Sequence, residues 1–250
     1  MNRHIKYIVM ALVALTCCRA WAETISLDSP NGKMKVEIET GACFSISAKL
    51  DGKQMVKGVK VSLKTPRRTI CAGLPYSLDR RFFKSENAAE NFSQLEFSFT
   101  DAGYKVYVRA YDNAFAYSVE LKEHPRTDEI IDEQLETDIP YALALPLQTL
   151  PVVFSAPNPA LGRIALLETD DPDYPKIRVK ISNRGKRLEA FFKKIESGDE
   201  FEKPYIYKLD GRAKILPWRA FIPVAGYADE NIAILKARLQ SADTTGKKKL

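Results

Sequence analysis

The chain has 250 residues, 45% of them hydrophobic and 28% charged, with a formal net charge of +6. That is enough apolar material for one large core or two smaller ones. The basic pairs Arg67-Arg68, Arg80-Arg81 and Lys193-Lys194 and the run Lys247 to Lys249 are scattered among acids, a solvated surface rather than a stripe that tracks phosphates, so no nucleic-acid partner is expected.

Arg3 and Lys6 precede an apolar stretch from Tyr7 to Cys18 and a small-x-small site at Ala20-Trp21-Ala22. These are the three parts of a secretory signal, which predicts export and removal of residues 1–22. About a dozen apolar residues at roughly 1.5 Å each cannot cross a hydrocarbon core about 30 Å thick, so the chain is not expected to span a membrane. Cys17 and Cys18 follow Thr16 and Cys17, not the Gly, Ala or Ser usual before a lipidated cysteine, and a lipoprotein is the less favoured reading. Loss of Arg3, Lys6 and Arg19 with the signal halves the net charge. Cys43 and Cys71 then remain, in a compartment where a disulfide persists; a bridge and two separate thiols are both open.

From there on, period-two alternation is the main signal. Met34, Val36 and Ile38 alternate with Lys33, Lys35, Glu37 and Glu39, and Val59, Val61 and Leu63 alternate with Lys60, Ser62 and Lys64. Between Gln94 and Lys122, Leu95, Phe97 and Phe99 set the face of one strand, Asp101-Ala102-Gly103 turns the chain, Tyr104 to Tyr111 forms a second strand, Asp112-Asn113 turns it again, and Phe115, Tyr117, Val119 and Leu121 line a third. The segment Tyr141 to Asn158, with Pro146, Pro151 and Pro157, reads as a long connection. Ile177, Val179 and Ile181 resume the alternation, while Arg184 to Glu196 is ambiguous. No window of fifteen residues keeps a clean 3.6-residue stripe. Short strands between turns, with fourteen prolines in the chain, predict an all-β fold, a multi-stranded antiparallel β-sandwich over residues 23–243, followed by a disordered basic tail at 244–250.

Past the signal one histidine remains, His124, beside Pro125 in a polar turn. Two-histidine zinc motifs are excluded, a nucleophile-histidine pair has only this residue to use, and there is no GxxxxGK[ST] and no GxGxxG after a strand. Carboxylates are what is left. LLETDDPDYP, residues 166–175, gathers Glu168, Asp170, Asp171 and Asp173. Such a cluster can lend oxygens to Ca²⁺, although position six counted from Asp171 is Lys176 where an EF-hand needs Gly; a carboxylate pair can also do glycosidic acid/base work, and an acidic surface turn is equally compatible. On the strand that Tyr104 opens, Tyr107 and Tyr111 alternate with Val106, Val108 and Ala110, which suggests a wet aromatic face able to stack on sugar; Tyr107 and Tyr111 are the candidate sugar-binding residues. Trp218, beside Pro217 and before the apolar run Ala220 to Val224, reads as core.

LLETDDPDYP looks like the LLE-S/T-D…DYPG stretch in the N-terminal domain of glycoside hydrolase family 97, exported α-glucosidases and α-galactosidases of Bacteroides-like bacteria. SPNGKMKVEIE with FSISAKLDGKQMV, YKVYVRAYDNAFAYSVEL and LPWRAFIPVAGYADENIAIL resemble further stretches of that domain in the family's order, over about residues 25–240. The resemblance implies a mutarotase-like β-supersandwich and a Gram-negative periplasmic location. It also implies a partner, a catalytic (β/α)₈ barrel that carries the acid and base, with carbohydrate as substrate. The family's N-terminal domain lends one glutamate to Ca²⁺ at the sugar pocket, and the matching position is Glu168. No catalytic residue is expected within these residues, and Ca²⁺ is expected only if a barrel supplied in trans completes the site. Departures from the family pattern fall at Asp112-Asn113, where it has DG, at Ser118, where it has Arg, and at Lys176, where DYPG has Gly and a left-handed backbone would strain a lysine.

Overall fold

The computed structural model describes residues 23–41, 43–66, 69–70, 76–84, 91–122, 129–139, 148–182, 187–192, 207–226 and 228–246. Residues 1–22, read as a secretory signal, Cys71, His124 and residues 247–250 lie outside them. Among the described residues the strands run β1 (Thr24–Asp28), β2 (Met34–Thr40), β3 (Phe44–Leu50), β4 (Lys53–Lys64), β5 (Thr69–Ile70), β6 (Ser77–Phe83), β7 (Phe92–Phe99), β8 (Tyr104–Ala110), β9 (Phe115–Leu121) and β10 (Glu129–Ile130). They continue as β11 (Asp132–Asp138), β12 (Gln148–Thr149), β13 (Val152–Ser155), β14 (Arg163–Glu168), β15 (Ile177–Ser182), β16 (Arg187–Phe192), β17 (Tyr207–Lys208), β18 (Lys214–Ile215) and β19 (Arg219–Val224).

Two antiparallel sheets stack as the alternation requires. The first follows the order β1-β2-β3-β4-β11-β16-β15-β12, with β5 on β4; the second follows β13-β14-β19-β9-β8-β7-β6, with β18 on β9; β10 and β17 pair separately. Met34, Val36, Ile38, Ile46, Val59, Leu95, Phe97, Val108 and Phe221 are buried in the interior between the sheets, while the lysines and glutamates between them on the first sheet point out. The meander is built as read. β7, β8 and β9 pair in sequence, with Leu95 opposite Val108 and Val106 opposite Val119. Gly103 leaves the short 3-10 turn Thr100–Ala102 at φ +71°, a conformation glycine adopts without steric cost. The segment read as a long connection carries β12 and β13 among its described residues.

One element departs from the sequence reading. Residues Glu230–Gly246 form helix α1, which crosses the boundary read at residue 243. Asp229 caps it, its Oδ1 accepting from the Asn231 amide at 3.0 Å. Leu235 and Leu239, one helical turn apart, are buried against the outward side of the second sheet beside Ala165, Leu167, Ala220 and Ile222. Ile234 is exposed. A helix anchored by so few residues leaves no repeating stripe for a periodicity search to find. Among the described residues, no helix is long and apolar enough to cross a membrane.

Candidate functional site

The acidic segment folds at one end of the space between the sheets. Glu168 ends β14 and stands in register opposite Arg219, the first residue of β19; Arg219 is in turn opposite Tyr117 of β9. Arg219 shares the parity of Phe221, and Glu168 that of Leu166 and Ile164, so both side chains enter the interior. Glu133 comes from the facing sheet, on β11, with the inward parity of Leu135. Arg219 donates from Nε to Glu133 Oε1 at 3.0 Å and from Nη2 to Oε2 at 2.8 Å. Its Nη1 lies 3.2 Å from Glu168 Oε2. The Tyr174 hydroxyl donates to Glu133 Oε2 at 2.7 Å, and its ring packs on Phe192 and Tyr207. One backbone and one side-chain hydrogen bond close this end: Thr169 N donates to Trp218 O at 3.1 Å and Trp218 N to Thr169 Oγ1 at 2.9 Å.

Arg219 is 0% exposed, Glu133 4% and Glu168 6%. Charges this far from water persist only when paired. Burial pulls the Arg219 guanidinium down, but the Glu133 and Glu168 carboxylates more than offset it, and its pKa stands above its ordinary value. Burial pushes Glu168 up; Arg219 and Lys176 counter only part of that, so the carboxyl sits above the usual glutamate range. Burial, then Glu133, raises Tyr174 and Tyr117 well above the ordinary phenol. The Tyr117 hydroxyl is enclosed with no hydrogen-bond partner among the described residues.

Asp170 and Asp171 fan outward, each toward a cation. Asp170 meets Lys236 of α1 at 2.8 Å and Lys176 at 3.2 Å, and the hydrogen bond from Lys236 holds it below the usual aspartate value. Asp171 meets Lys214 at 2.9 Å and accepts from the Asp173 amide at 3.0 Å. Lys176 also approaches Glu168 Oε1 at 3.7 Å. The turn takes a lysine at 176 without strain, because Asp51 is the one non-glycine residue with positive φ among those described. No three His, Cys, Asp or Glu side chains converge among the described residues. Both Glu168 oxygens face cations, so these residues do not by themselves fit Ca²⁺, which needs six to eight oxygens around one point. Nor do Glu133 and Glu168 flank a cleft that a glycosidic bond could enter, as an acid/base pair must; a guanidinium lies against both.

Tyr107 and Tyr111 have different surroundings. Tyr107 is half-buried, its hydroxyl bonded to Glu120, and burial followed by that bond raises it above the ordinary phenol. Glu96 and Lys105 complete a polar patch around it, with Lys105 Nζ 2.7 Å from Glu96. Tyr111 is enclosed, 1% exposed, against Phe92. Tyr104 is buried in the interior. Trp218 is core, as read, with the Arg109 guanidinium 3.9 Å from its ring centre. Arg219 and Glu133 were missed as site residues. The signals were present: Arg219 is the lone charge in LPWRAFIPVAG, and Glu133 shares parity with Leu135.

Stacked antiparallel sheets with a buried ionic corner and a docked helix define an antiparallel β-sandwich. Residues 27–145, a little under half of the chain, match the family described as Glycosyl-hydrolase 97 N-terminal. Among solved structures, the fold is similar to a beta-arabinopyranosidase, with TM-score 0.61 and 15% identity over 79% of this chain and 40% of the other. It is also similar to a Glycoside Hydrolase Family 97 enzyme from Pseudoalteromonas sp. strain K8 in complex with acarbose, with TM-score 0.59 and 15% identity over 79% of this chain and 35% of the other. The chain thus spans well under half the length of these enzymes, and at such identity the likeness is one of fold. No curated protein matches the sequence.

Proposed function

We propose that this chain is an exported, periplasmic, carbohydrate-associated sandwich that works beside a catalytic (β/α)₈ barrel and does not cleave glycosides by itself. The observation that carries this reading is the state of the acidic corner. Glu133 and Glu168, the buried carboxylates of the segment's neighbourhood, are tied to Arg219 inside the sandwich rather than poised across an open cleft. In support, the fold accounts for only 35–40% of the chains of its solved neighbours; the bond-breaking groups of such a system belong to the remainder. Ca²⁺ enters only where a barrel supplies further oxygens beside Glu168 and Lys176 withdraws from it; this chain's own residues assign it no step.

A second reading, a lectin-like module for α-linked glycan, is favoured by the half-buried Tyr107 ring among Glu96, Lys105 and Glu120, a polar setting for sugar hydroxyls. The two separate experimentally. Incubation with nitrophenyl α-glucoside and α-galactoside in the presence of Ca²⁺ is expected to give no turnover under either. Titration with malto-oligosaccharides changes tyrosine or tryptophan emission only under the second. Hydrolysis that disappears in Glu168→Gln would overturn both and make the chain an enzyme in its own right.

A further inference from the structure

Among the described residues the second sheet ends at β6, whose outer edge carries no further strand. Every one of the seven residues of β6, SLDRRFF, is exposed, whereas its neighbour β7 is buried along most of its length. Leu78, Phe82 and Phe83 are 43%, 57% and 39% exposed. In register with β7, Leu78 stands opposite Phe97, Arg80 opposite Leu95 and Phe82 opposite Ser93, so these three lie on the inward side of the sheet. There β6 overhangs the first sheet. Arg80 reaches across to the Ser26 carbonyl at 2.9 Å, and a groove of about 330 Å³ opens among Leu27, Asp28, Arg80, Arg81, Phe82 and Ser93. Long open edges with apolar side chains template further strand pairing unless something blocks them.

We infer that β6 pairs antiparallel with β6 of a second copy of this chain about a two-fold axis at Arg80, continuing the second sheet across a dimer. The strand is complementary to its own reverse. In that register Leu78 faces the other copy's Phe82 twice, on the grooved side, and Asp79 faces Arg81 twice on the opposite side, with Ser77 against Phe83. Asp79 and Arg81 already form an ion pair within the single strand, 2.7 Å apart with both side chains about half exposed; pairing exchanges it for two cross-strand pairs. The like charges that meet on the axis, the two Arg80 side chains, are each drawn back toward their own Ser26 carbonyl. An acidic peptide would satisfy the arginines but oppose Asp79, whereas a second β6 meets both signs of charge and the apolar positions together. Such an isologous contact closes on itself. One edge of this length lies at the low end of interface sizes, below roughly 1,200 Å², so the dimer is weak and concentration-dependent.

The test is sedimentation equilibrium of the protein beginning at Glu23, with wild type, Asp79→Arg, Asp79→Arg/Arg81→Asp and Phe82→Ser compared. Wild type is expected to dimerise reversibly with rising concentration. Asp79→Arg, which turns both cross-strand pairs repulsive, is expected to weaken association by roughly tenfold, and the charge exchange in the double variant is expected to restore it. Phe82→Ser, at an exposed position, should keep its circular dichroism and melting temperature and lose the dimer. A wild type that stays monomeric up to its solubility limit contradicts the proposal. So does a dimer indifferent to Asp79→Arg and Phe82→Ser, or one that the charge exchange fails to restore.

Discussion

Arg219 on one sheet grips Glu133 on the other with two parallel hydrogen bonds, 3.0 and 2.8 Å long, and neither side chain is more than 5% exposed. This is the one place where the two layers are joined by charge rather than by packing among the described residues with buried ion pairs. Bidentate geometry of this kind is specific to arginine and carboxylate. Removing the guanidinium leaves Glu133 and Glu168 buried without their counter-ion. Arg219→Met is therefore expected to destabilise the fold by about 3–5 kcal/mol, whereas Arg219→Met with Glu133→Leu recovers part of the loss. Urea unfolding of the two single variants and the double variant measures the coupling.

Glu168 gives the corner a pH dependence with a defined sign. Its carboxyl is raised in the folded state, first by burial, so the folded protein holds a proton that the unfolded chain has released. The stabilising contribution is complete below the unfolded glutamate value, about 4.3, and is lost as pH rises through the folded value. Glu168→Gln removes that proton equilibrium. Melting temperatures of the two proteins across this window should converge or cross in favour of the glutamine variant as pH rises; a difference independent of pH would mean that the carboxyl titrates normally.

Trp218 reports on the second cluster. Trp21 lies in the predicted signal and the chain has two tryptophans, so in the protein beginning at Glu23 the emission comes from Trp218 alone. With 1% exposure and the Arg109 guanidinium against its ring, that emission is expected to be blue-shifted and resistant to acrylamide quenching. Trp218→Ala should cost about 3–5 kcal/mol through the cavity it leaves.

Helix α1 is held by Leu235 and Leu239 far more than by charge. Leu239→Ala, at a fully buried position, is expected to cost about 2–5 kcal/mol. Lys236→Ala breaks a partly exposed contact to Asp170 and should cost under about 1 kcal/mol. Denaturant midpoints at matched slopes distinguish the two.

What could be read in advance follows from the range of the interactions. Strands β7 to β9 were legible because Leu95, Phe97, Phe115 and Tyr117 alternate with other residues over short spans, and turn residues lie between them; local pattern and tertiary fold agree there. Helix α1 was missed because its docking rests on two leucines and a cap. In the acidic segment the carboxylates were visible but their partners were not, since Lys214 and Lys236 arrive from separate elements and Arg219 and Glu133 from two different sheets. Parity alone placed Glu133 with Leu135, yet in DEQLETD an inward glutamate looks like any other charge until its arginine is known. Lys176 was expected to strain a left-handed turn; the chain instead gives it an ordinary backbone and directs its ammonium at Glu168 and Asp170.

The acidic corner is neutralised from within by Arg219, Lys176, Lys214 and Lys236. Calorimetric titration of CaCl₂ into the protein beginning at Glu23 tests it most directly. No saturable heat and no rise in melting temperature are expected at neutral pH. Stoichiometric binding that disappears in Glu168→Gln would contradict the claim, because it would require the carboxylates to converge on a metal rather than diverge onto their own cations.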